Sequence, residues 1–123
     1  MIEIKEAIIT DRDDGIIHVH FKEGTEINVE LQSKLFEIYN KICAGEKKAF
    51  MFSASEYVTV TKDARENAVK MAENIPALAN AVIAHSIAYK LIANFYFIVN
   101  KPTRPFRIFN DEEKAVEWLR TFM

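Results

Sequence analysis

One stretch of the sequence, residues 80–122, decides the fold; it reads NAVIAHSIAYKLIANFYFIVNKPTRPFRIFNDEEKAVEWLRTF. It begins with a short apolar strand, continues into an apolar helix and a loop bracketed by prolines, and ends with a second strand and a capped helix. Strands that alternate with helices are typical of βαβ crossovers and a mostly parallel sheet. We therefore expect the rest of the chain to complete one sheet around this unit.

The earlier segments continue the same alternation of strand and helix. A hairpin comes first, because the polar turn between its strands ends in Asp14-Gly15, a hairpin signal. The predicted strands are 2–10, 16–21, 49–52, 81–84 and 106–109. The predicted helices are 29–43 after an Asn28 cap, one between a Thr61 cap and Pro76, 86–99, and one after an Asn110 cap. The prediction is one α/β domain over residues 1–123, with a mixed sheet of four to five strands and four helices packed on it.

The composition fits a single domain with its own core. Half of the 123 residues are hydrophobic, and a chain of this length buries about two-thirds of its unfolded surface. The formal net charge of −2 argues against non-specific nucleic-acid binding, which requires a strongly basic surface. The single cysteine, Cys43, has no partner for an internal disulfide, and residues 1–10 lack the apolar core of a signal peptide. We therefore expect a cytoplasmic protein.

Residues 81–99 are the most hydrophobic stretch of the chain, and their number approaches the roughly 20 apolar residues that span a bilayer. Lys90 lies at the centre of this stretch, where a charge costs about 3 kcal/mol on insertion scales. We therefore interpret the stretch as a strand followed by a buried helix, with no membrane span. A helix without a polar face is either buried or presented to a partner, so Leu91, Phe95 and Tyr96 are candidates for a homodimer interface. Alternatively, this helix lines an apolar pocket for a lipid or another apolar ligand.

Two groups of polar residues follow neighbouring predicted strands. The first group is Ser53, Ser55, Thr59, Thr61 and Lys62, and the second is His85, Ser86 and Tyr89. If the strands are parallel, both groups lie at the same edge of the sheet, outside the carboxyl ends where open α/β sheets bind ligands. We expect this edge to be the binding site for a partner or ligand, although Thr61 and Ser86 are also simple helix caps.

Other chemistry-bearing residues have plainer interpretations. His18 and His20 share one strand face, and His85 is a conceivable third zinc ligand, but no spacing fixes such a site, so we expect a solvated face. Cys43 lies on the apolar side of its predicted helix and is expected to be a buried, small hydrophobic residue. No catalytic residue, metal or cofactor is predicted.

Several segments of the chain resemble small bacterial STAS/SpoIIAA-like proteins, a largely uncharacterised branch seen in Bacteroidetes-type genomes. The resemblance lies in the order of elements along the chain and in short strings at 82–84, 93–95, 100–102, 107–109, 111–115 and 117–119. It implies a mixed sheet covered by helices. It also implies a non-enzymatic regulatory module that binds a protein partner around the loop and helix after the third strand.

In the anti-anti-sigma type of STAS domain, that loop carries a phosphorylated hydroxyl. Laid onto this chain, the phosphorylation motif falls on Thr61-Lys62-Asp63-Ala64, and Lys62 takes the place of the acceptor serine. Thr59 and Thr61 remain possible acceptors, because a phosphate is favoured at a helix N-terminus. The sequence therefore predicts a regulatory module that acts through protein contacts, with small-molecule binding as the alternative.

Overall fold

The computed structural model describes residues 1–84 and 104–123. Three helices lie in these residues: α1 (Val29–Cys43), α2 (Lys62–Met71) and α3 (Glu112–Arg120). Eight strands accompany them: β1 (Ile2–Glu3), β2 (Ala7–Asp11), β3 (Ile16–Phe21), β4 (Glu26–Ile27), β5 (Lys48–Ala54), β6 (Thr59–Val60), β7 (Ala77–Ile83) and β8 (Phe106–Phe109). The predicted helix 86–99 lies outside the described residues. The α/β class is confirmed.

The main sheet is mixed, as predicted, but it has six strands instead of four or five, in the order β1-β2-β3-β5-β7-β8. β2 is antiparallel to both of its neighbours, β1 and β3, whereas β3, β5, β7 and β8 follow one another in parallel. The extra strand arises because the predicted strand 2–10 folds back on itself. The amide of Ile4 donates to the carbonyl of Ala7 at 2.9 Å, which closes a turn between β1 and β2.

Tertiary pairing extends the strands beyond their predicted bounds. The strand predicted at 81–84 begins at Ala77, because Ala77 and Ala79 are buried between neighbouring strands even though alanine has a low strand propensity. The segment predicted as a loop after residue 52 contains the end of β5 and all of β6. β6 pairs in parallel with β4 to form a separate two-stranded sheet.

The helix caps agree with the sequence at two of the three described helices. Asn28 Oδ1 accepts from the Leu31 amide at 2.8 Å at the start of α1, and Thr61 Oγ1 accepts from the Ala64 amide at 3.1 Å at the start of α2. The prediction for the last helix was wrong by one residue. Asp111, and not Asn110, caps α3, and its carboxylate has the favourable charge for a helix N-terminus.

Both faces of the main sheet carry a hydrophobic core. α1 and α2 cover the first face, where Leu35 and Tyr39 pack near Phe50. α3 covers part of the second face, where Leu119 packs near Met51. β3 and β5 contribute alternate residues to the two faces, as the period of two in a strand requires. In residues 1–84 and 104–123, no helix combines the length and hydrophobicity needed to cross a bilayer.

Leu119 tests the packing of α3 on the second face. Its side chain is fully buried, so Leu119→Ala should lower the free energy of unfolding by about 2–5 kcal/mol through lost apolar contact and a residual cavity. Urea denaturation measures the change. Val69→Ala is the matched control, because Val69 is 40% exposed on α2 and should change stability by less than about 0.5 kcal/mol. A loss below about 1 kcal/mol for Leu119→Ala would contradict this packing.

Candidate functional site

The edge of the sheet predicted as the binding site has the expected architecture on the described side. β5 and β7 are parallel and pair Phe52 with Val82, so the chain leaves both strands at the same edge. His85, Ser86 and Tyr89 lie outside the described residues, and their approach to Ser53 stays a prediction. The same holds for the interface residues Leu91, Phe95 and Tyr96 and for the apolar pocket predicted beside helix 86–99.

Ser53 lies at the centre of a hydrogen-bonded array that joins β3 to the end of β5. Its Oγ lies 2.8 Å from His18 Nε2 and 2.8 Å from His20 Nδ1. His20 Nε2 lies 2.9 Å from the Oγ of Ser55. Ser53 is buried, the two histidines are half-buried, and Ser55 is exposed. These four side chains, His18, Ser53, His20 and Ser55, are called the His–Ser array below.

Strand register produces this array. β3 and β5 pair His20 with Ser53 and His18 with Met51, so the hydroxyl of Ser53 lies beside both imidazoles on the second face of the sheet. The interpretation of the histidines as a solvated strand face was wrong, because both rings are half-buried and hydrogen-bonded to serines. Ser53 and Ser55 were predicted as site residues, but their histidine partners were not. The sequence contains the patterns His-x-His and Ser-x-Ser, but these patterns predict hydrogen bonds between the histidines and the serines only when the register of β3 and β5 is known.

The array has a limited capacity for protons. The hydroxyl of Ser53 has one proton, so it donates to one histidine and accepts from the other. While the two histidines are neutral, Ser53 can donate its proton to either His18 or His20. If one ring gains an additional proton, all three hydrogen bonds of the array are still possible. A second additional proton would direct two N–H groups at Ser53 Oγ and place two cations side by side. Ser53 therefore keeps both of its hydrogen bonds to the histidines only while at most one of the two rings carries an additional proton.

His18 is the histidine whose titration is most clearly altered. Burial lowers its pKa from the ordinary value of 6.5, and the charges of His20 and Arg12 lower it further. Glu112, at the start of α3, acts in the opposite direction. Because burial is the largest effect on its pKa, the neutral form of His18 is favoured.

A metal site and a reactive cysteine find little support in the described part of the chain. No group of three or more His, Cys, Asp or Glu side chains in residues 1–84 and 104–123 is arranged to hold a metal ion. Cys43 is only 2% exposed at the end of α1, and burial raises the pKa of its thiol. Its position agrees with the interpretation as a small core residue.

Thr59, Thr61 and Lys62 lie along β6 and the start of α2. Thr59 is exposed on β6, Thr61 caps α2, and Lys62 is exposed in the first turn of that helix. Residues 55–58, called the β5–β6 loop below, connect this segment to the His–Ser array. Tyr57 in this loop was not predicted as a site residue, yet it is 76% exposed and has a left-handed backbone with φ of 64°.

Comparisons with known proteins place this architecture in a wider group. The family model described as a domain of unknown function, DUF7793, matches residues 10–123. An uncharacterised protein of the DUF3478 family with a SpoIIAA-like fold, from Shewanella loihica PV-4, has a TM-score of 0.63 at 12% identity, with 97% of this chain and 98% of that chain covered. A protein of unknown function from Arthrobacter sp. FB24 has a TM-score of 0.32 at 21% identity, with coverages of 91% and 97%. No curated protein matches the chain. The Shewanella structure shows that the chain has a SpoIIAA-like fold.

The lowered pKa of His18 predicts how stability depends on pH. Unfolded His18 takes up a proton near pH 6.5, whereas the folded side chain does so only at a lower pH. The unfolded state therefore binds more protons in this range, so the free energy of unfolding should fall as the pH is lowered from about 7.5 to about 5. Urea denaturation at a series of pH values measures this slope.

His18→Gln should flatten the slope, because it removes the titrating group and keeps a side chain that forms hydrogen bonds. Val69→Ala is a control that should follow the wild-type profile, since Val69 lies on the surface of α2. An unchanged slope in His18→Gln would exclude His18 as its source.

Proposed function

The chain belongs to the DUF7793 family of domains of unknown function, and we propose that it is a non-enzymatic regulatory module that binds a partner protein through the β5–β6 loop. The SpoIIAA-like fold supports this proposal. The resemblance to STAS proteins implies that a partner binds around the loop and helix after the third predicted strand, which is β5 in the structure. In the structure that segment is the β5–β6 loop, β6 and α2.

The conformation of Tyr57 is the observation that carries the proposal. A left-handed backbone costs a residue other than glycine roughly 1–2 kcal/mol. The side chain recovers little of this cost in the free protein, because it is 76% exposed. Exposed aromatic side chains often become the anchors of protein interfaces, and strained backbone is concentrated at functional positions. Tyr57 is therefore the proposed anchor for the partner.

The loop around Tyr57 is held in place by the neighbouring backbone. The Ser55 amide donates to the Phe21 carbonyl at 2.9 Å, and the Gly24 amide donates to the Glu56 carbonyl at 3.0 Å. Beyond the loop, the Thr59 amide donates to the Thr25 carbonyl at 3.0 Å. A loop that is ordered before binding loses less conformational entropy when the partner arrives. These hydrogen bonds therefore favour recognition by a preformed surface.

The charges beside the loop favour a basic partner. Glu56 lies next to Tyr57, Glu23 precedes the glycine that bonds to Glu56, and Glu26 pairs with Thr59 across the small sheet. All three carboxylate side chains are exposed. Lys22, which precedes Glu23, is already paired with Glu3, and Lys62 is exposed in the first turn of α2. Complementary charge accelerates association and selects among partners. The proposed partner therefore presents Lys or Arg around an apolar recess for Tyr57.

The proposal includes a homodimer, with Leu91, Phe95 and Tyr96 as its interface. Light scattering of the purified protein decides between this dimer and a monomer, and Leu91→Glu should dissociate the dimer by placing a charge at its centre. A wild-type protein that remains monomeric at all concentrations would remove this part of the proposal. It would leave the role of Tyr57 untouched.

Partner capture tests the role of Tyr57. Tyr57→Gly should preserve the free energy of unfolding within about 1 kcal/mol, because glycine accepts the left-handed backbone. The same change should reduce recovery of the partner from the cells that produce the protein by more than tenfold, since anchors of this kind contribute about 2 kcal/mol or more. Quantitative mass spectrometry of the captured proteins measures the loss.

Val69→Ser is the matched control, because it alters another exposed apolar residue on α2, outside the loop. It should leave partner recovery at the wild-type level. Equal recovery with wild type and Tyr57→Gly would refute the proposed binding surface.

Phosphorylation is the proposed regulation of this surface, and Thr59 is the favoured acceptor. Thr59 is exposed, whereas the hydroxyl oxygen of Thr61 is occupied by the Ala64 amide. A phosphate on Thr59 would add nearly two negative charges opposite Glu26 and disturb the small sheet by repulsion. Phosphopeptide analysis of the protein from its own cells should find modified Thr59. Peptides from resting and stimulated cells without phosphate at Thr59 or Thr61 would argue against this regulation.

A further inference from the structure

Ser55 is the exposed end of the His–Ser array, and its hydrogen bonds have the order found around an activated serine nucleophile. Its Oγ lies 2.9 Å from His20 Nε2, and the other ring nitrogen, Nδ1, lies 2.8 Å from the Oγ of Ser53. A hydroxyl nucleophile is activated by a base within hydrogen-bond reach, and a third group orients that base. Ser55, His20 and Ser53 correspond to these three roles.

The position of Ser55 combines access with a fixed geometry. Ser55 is exposed, whereas Ser53 is only 7% exposed, so a reagent in solution reaches the first serine and not the second. The Ser55 amide donates to the Phe21 carbonyl at 2.9 Å, which holds the backbone beside β3. The serine therefore lies next to its base before any reagent arrives, and such alignment lowers the entropic part of the reaction barrier.

One of the two directions of hydrogen bonding in the array makes His20 the acceptor for Ser55. In that direction Ser55 donates to His20 Nε2, and His20 Nδ1 donates to Ser53. Ser53 in turn donates to His18 Nε2. Each donor then has one acceptor while both rings are neutral. When the Ser55 proton moves to His20 Nε2, the hydrogen bonds from His20 to Ser53 and from Ser53 to His18 are unchanged.

The inner end of the array supports this direction. His18 Nε2 has to accept from Ser53, which requires a neutral ring. Burial has the largest effect on the pKa of His18 and lowers it, so the neutral ring is favoured there. The array therefore holds the transferred proton on His20, next to the reacting serine.

We propose that Ser55 is a site of covalent acylation, at which its hydroxyl takes an acyl group from an activated ester or thioester with His20 as the general base. The Ser55 proton passes to His20 Nε2, and a bond forms between Oγ and the acyl carbon. The bond from that carbon to the leaving oxygen or sulfur breaks, and the leaving group receives the proton from His20. The products are an ester of Ser55 and a free alcohol or thiol, so the step needs neither an oxidant nor a reductant.

The charges around Ser55 favour an acyl donor over a phosphoryl donor. Phosphoryl transfer depends on cations that neutralise the transferred group. Lys22, which follows β3, is ion-paired with Glu3 at 2.6 Å, and the exposed carboxylate of Glu56 comes directly after Ser55. An acyl carbonyl carries no net charge and reacts with the hydroxyl and its base alone. Acylation is a single stoichiometric event, so it is compatible with a non-enzymatic module, and it is independent of the partner contacts proposed for Tyr57.

The probe for this reaction is p-nitrophenyl acetate, which donates an acetyl group and releases a coloured phenol. The full-length protein should gain one acetyl group by intact-mass spectrometry, and peptide mapping should locate it at Ser55. Ser55→Ala should abolish this adduct. His20→Gln should slow its formation about 100-fold, because general-base catalysis is lost. Ser33→Ala is the matched control and should react like the wild type, since Ser33 is an exposed serine on α1, outside the array.

Nitrogen NMR of the histidine-labelled protein tests Ser53 as a positioning residue. The signals of the ring nitrogens show which of them carries the proton. In the wild type, His20 should carry its proton on Nδ1. Ser53→Ala removes the acceptor of that proton, so it should move the proton to Nε2 and slow the acetylation of Ser55.

Three results would overturn the proposal. The first is an acetyl group that maps to residues other than Ser55. The second is a His20→Gln variant that reacts as fast as the wild type, and the third is a wild-type His20 that carries its proton on Nε2. Should His20→Gln fail to fold, the NMR result for the wild type decides whether His20 acts as the base.

Discussion

The parallel pairing of β3 with β5 is the constraint on which the rest of the molecule depends. It joins the antiparallel N-terminal strands to the parallel part of the sheet. Its register, with His20 opposite Ser53, decides which residues of both strands face each core. A slip of one residue would turn Phe50 away from the core beneath α1 and replace it with Met51. The pairing also fixes the edge at which the chain leaves β5 for the loop that carries Tyr57.

The same pairing explains how polar residues are tolerated beside a core. Ser53 is buried on a strand whose other residues are mostly apolar, and an unpaired hydroxyl there would be costly. His18 and His20 are the hydrogen-bond partners of this hydroxyl, and the exposed Ser55 extends the hydrogen bonding from His20 to the surface. The array is therefore a satisfied polar network in which each residue depends on the others. This dependence links His18 to the start of the β5–β6 loop through a continuous row of hydrogen bonds.

The elements that the sequence predicted best are those with local signals. α1 has the predicted bounds because Asn28 caps it and the chain turns left-handed at Ala44. β8 likewise has its predicted range, and the hairpin follows from Asp14-Gly15. The two-residue strands β4 and β6 were missed because such short segments carry no alternation. The partners of Ser53 depend on register, and the backbone of Tyr57 depends on hydrogen bonds to a distant segment. Neither can be deduced from neighbours in the sequence.

The end of β5 and the residue that follows it bring the candidate sites together. Phe52 lines an apolar cleft between α1, α2 and the first face of the sheet. Ser53 bonds to the histidines on the second face, and Ser55 begins the loop beyond the strand. α2 adds a second connection, because its N-terminal cap ends β6 while Ala68 and Met71 line the cleft. A packed strand and helix move as rigid units more easily than they deform. Any shift of α2 would therefore displace Thr61 and the end of the partner-binding segment.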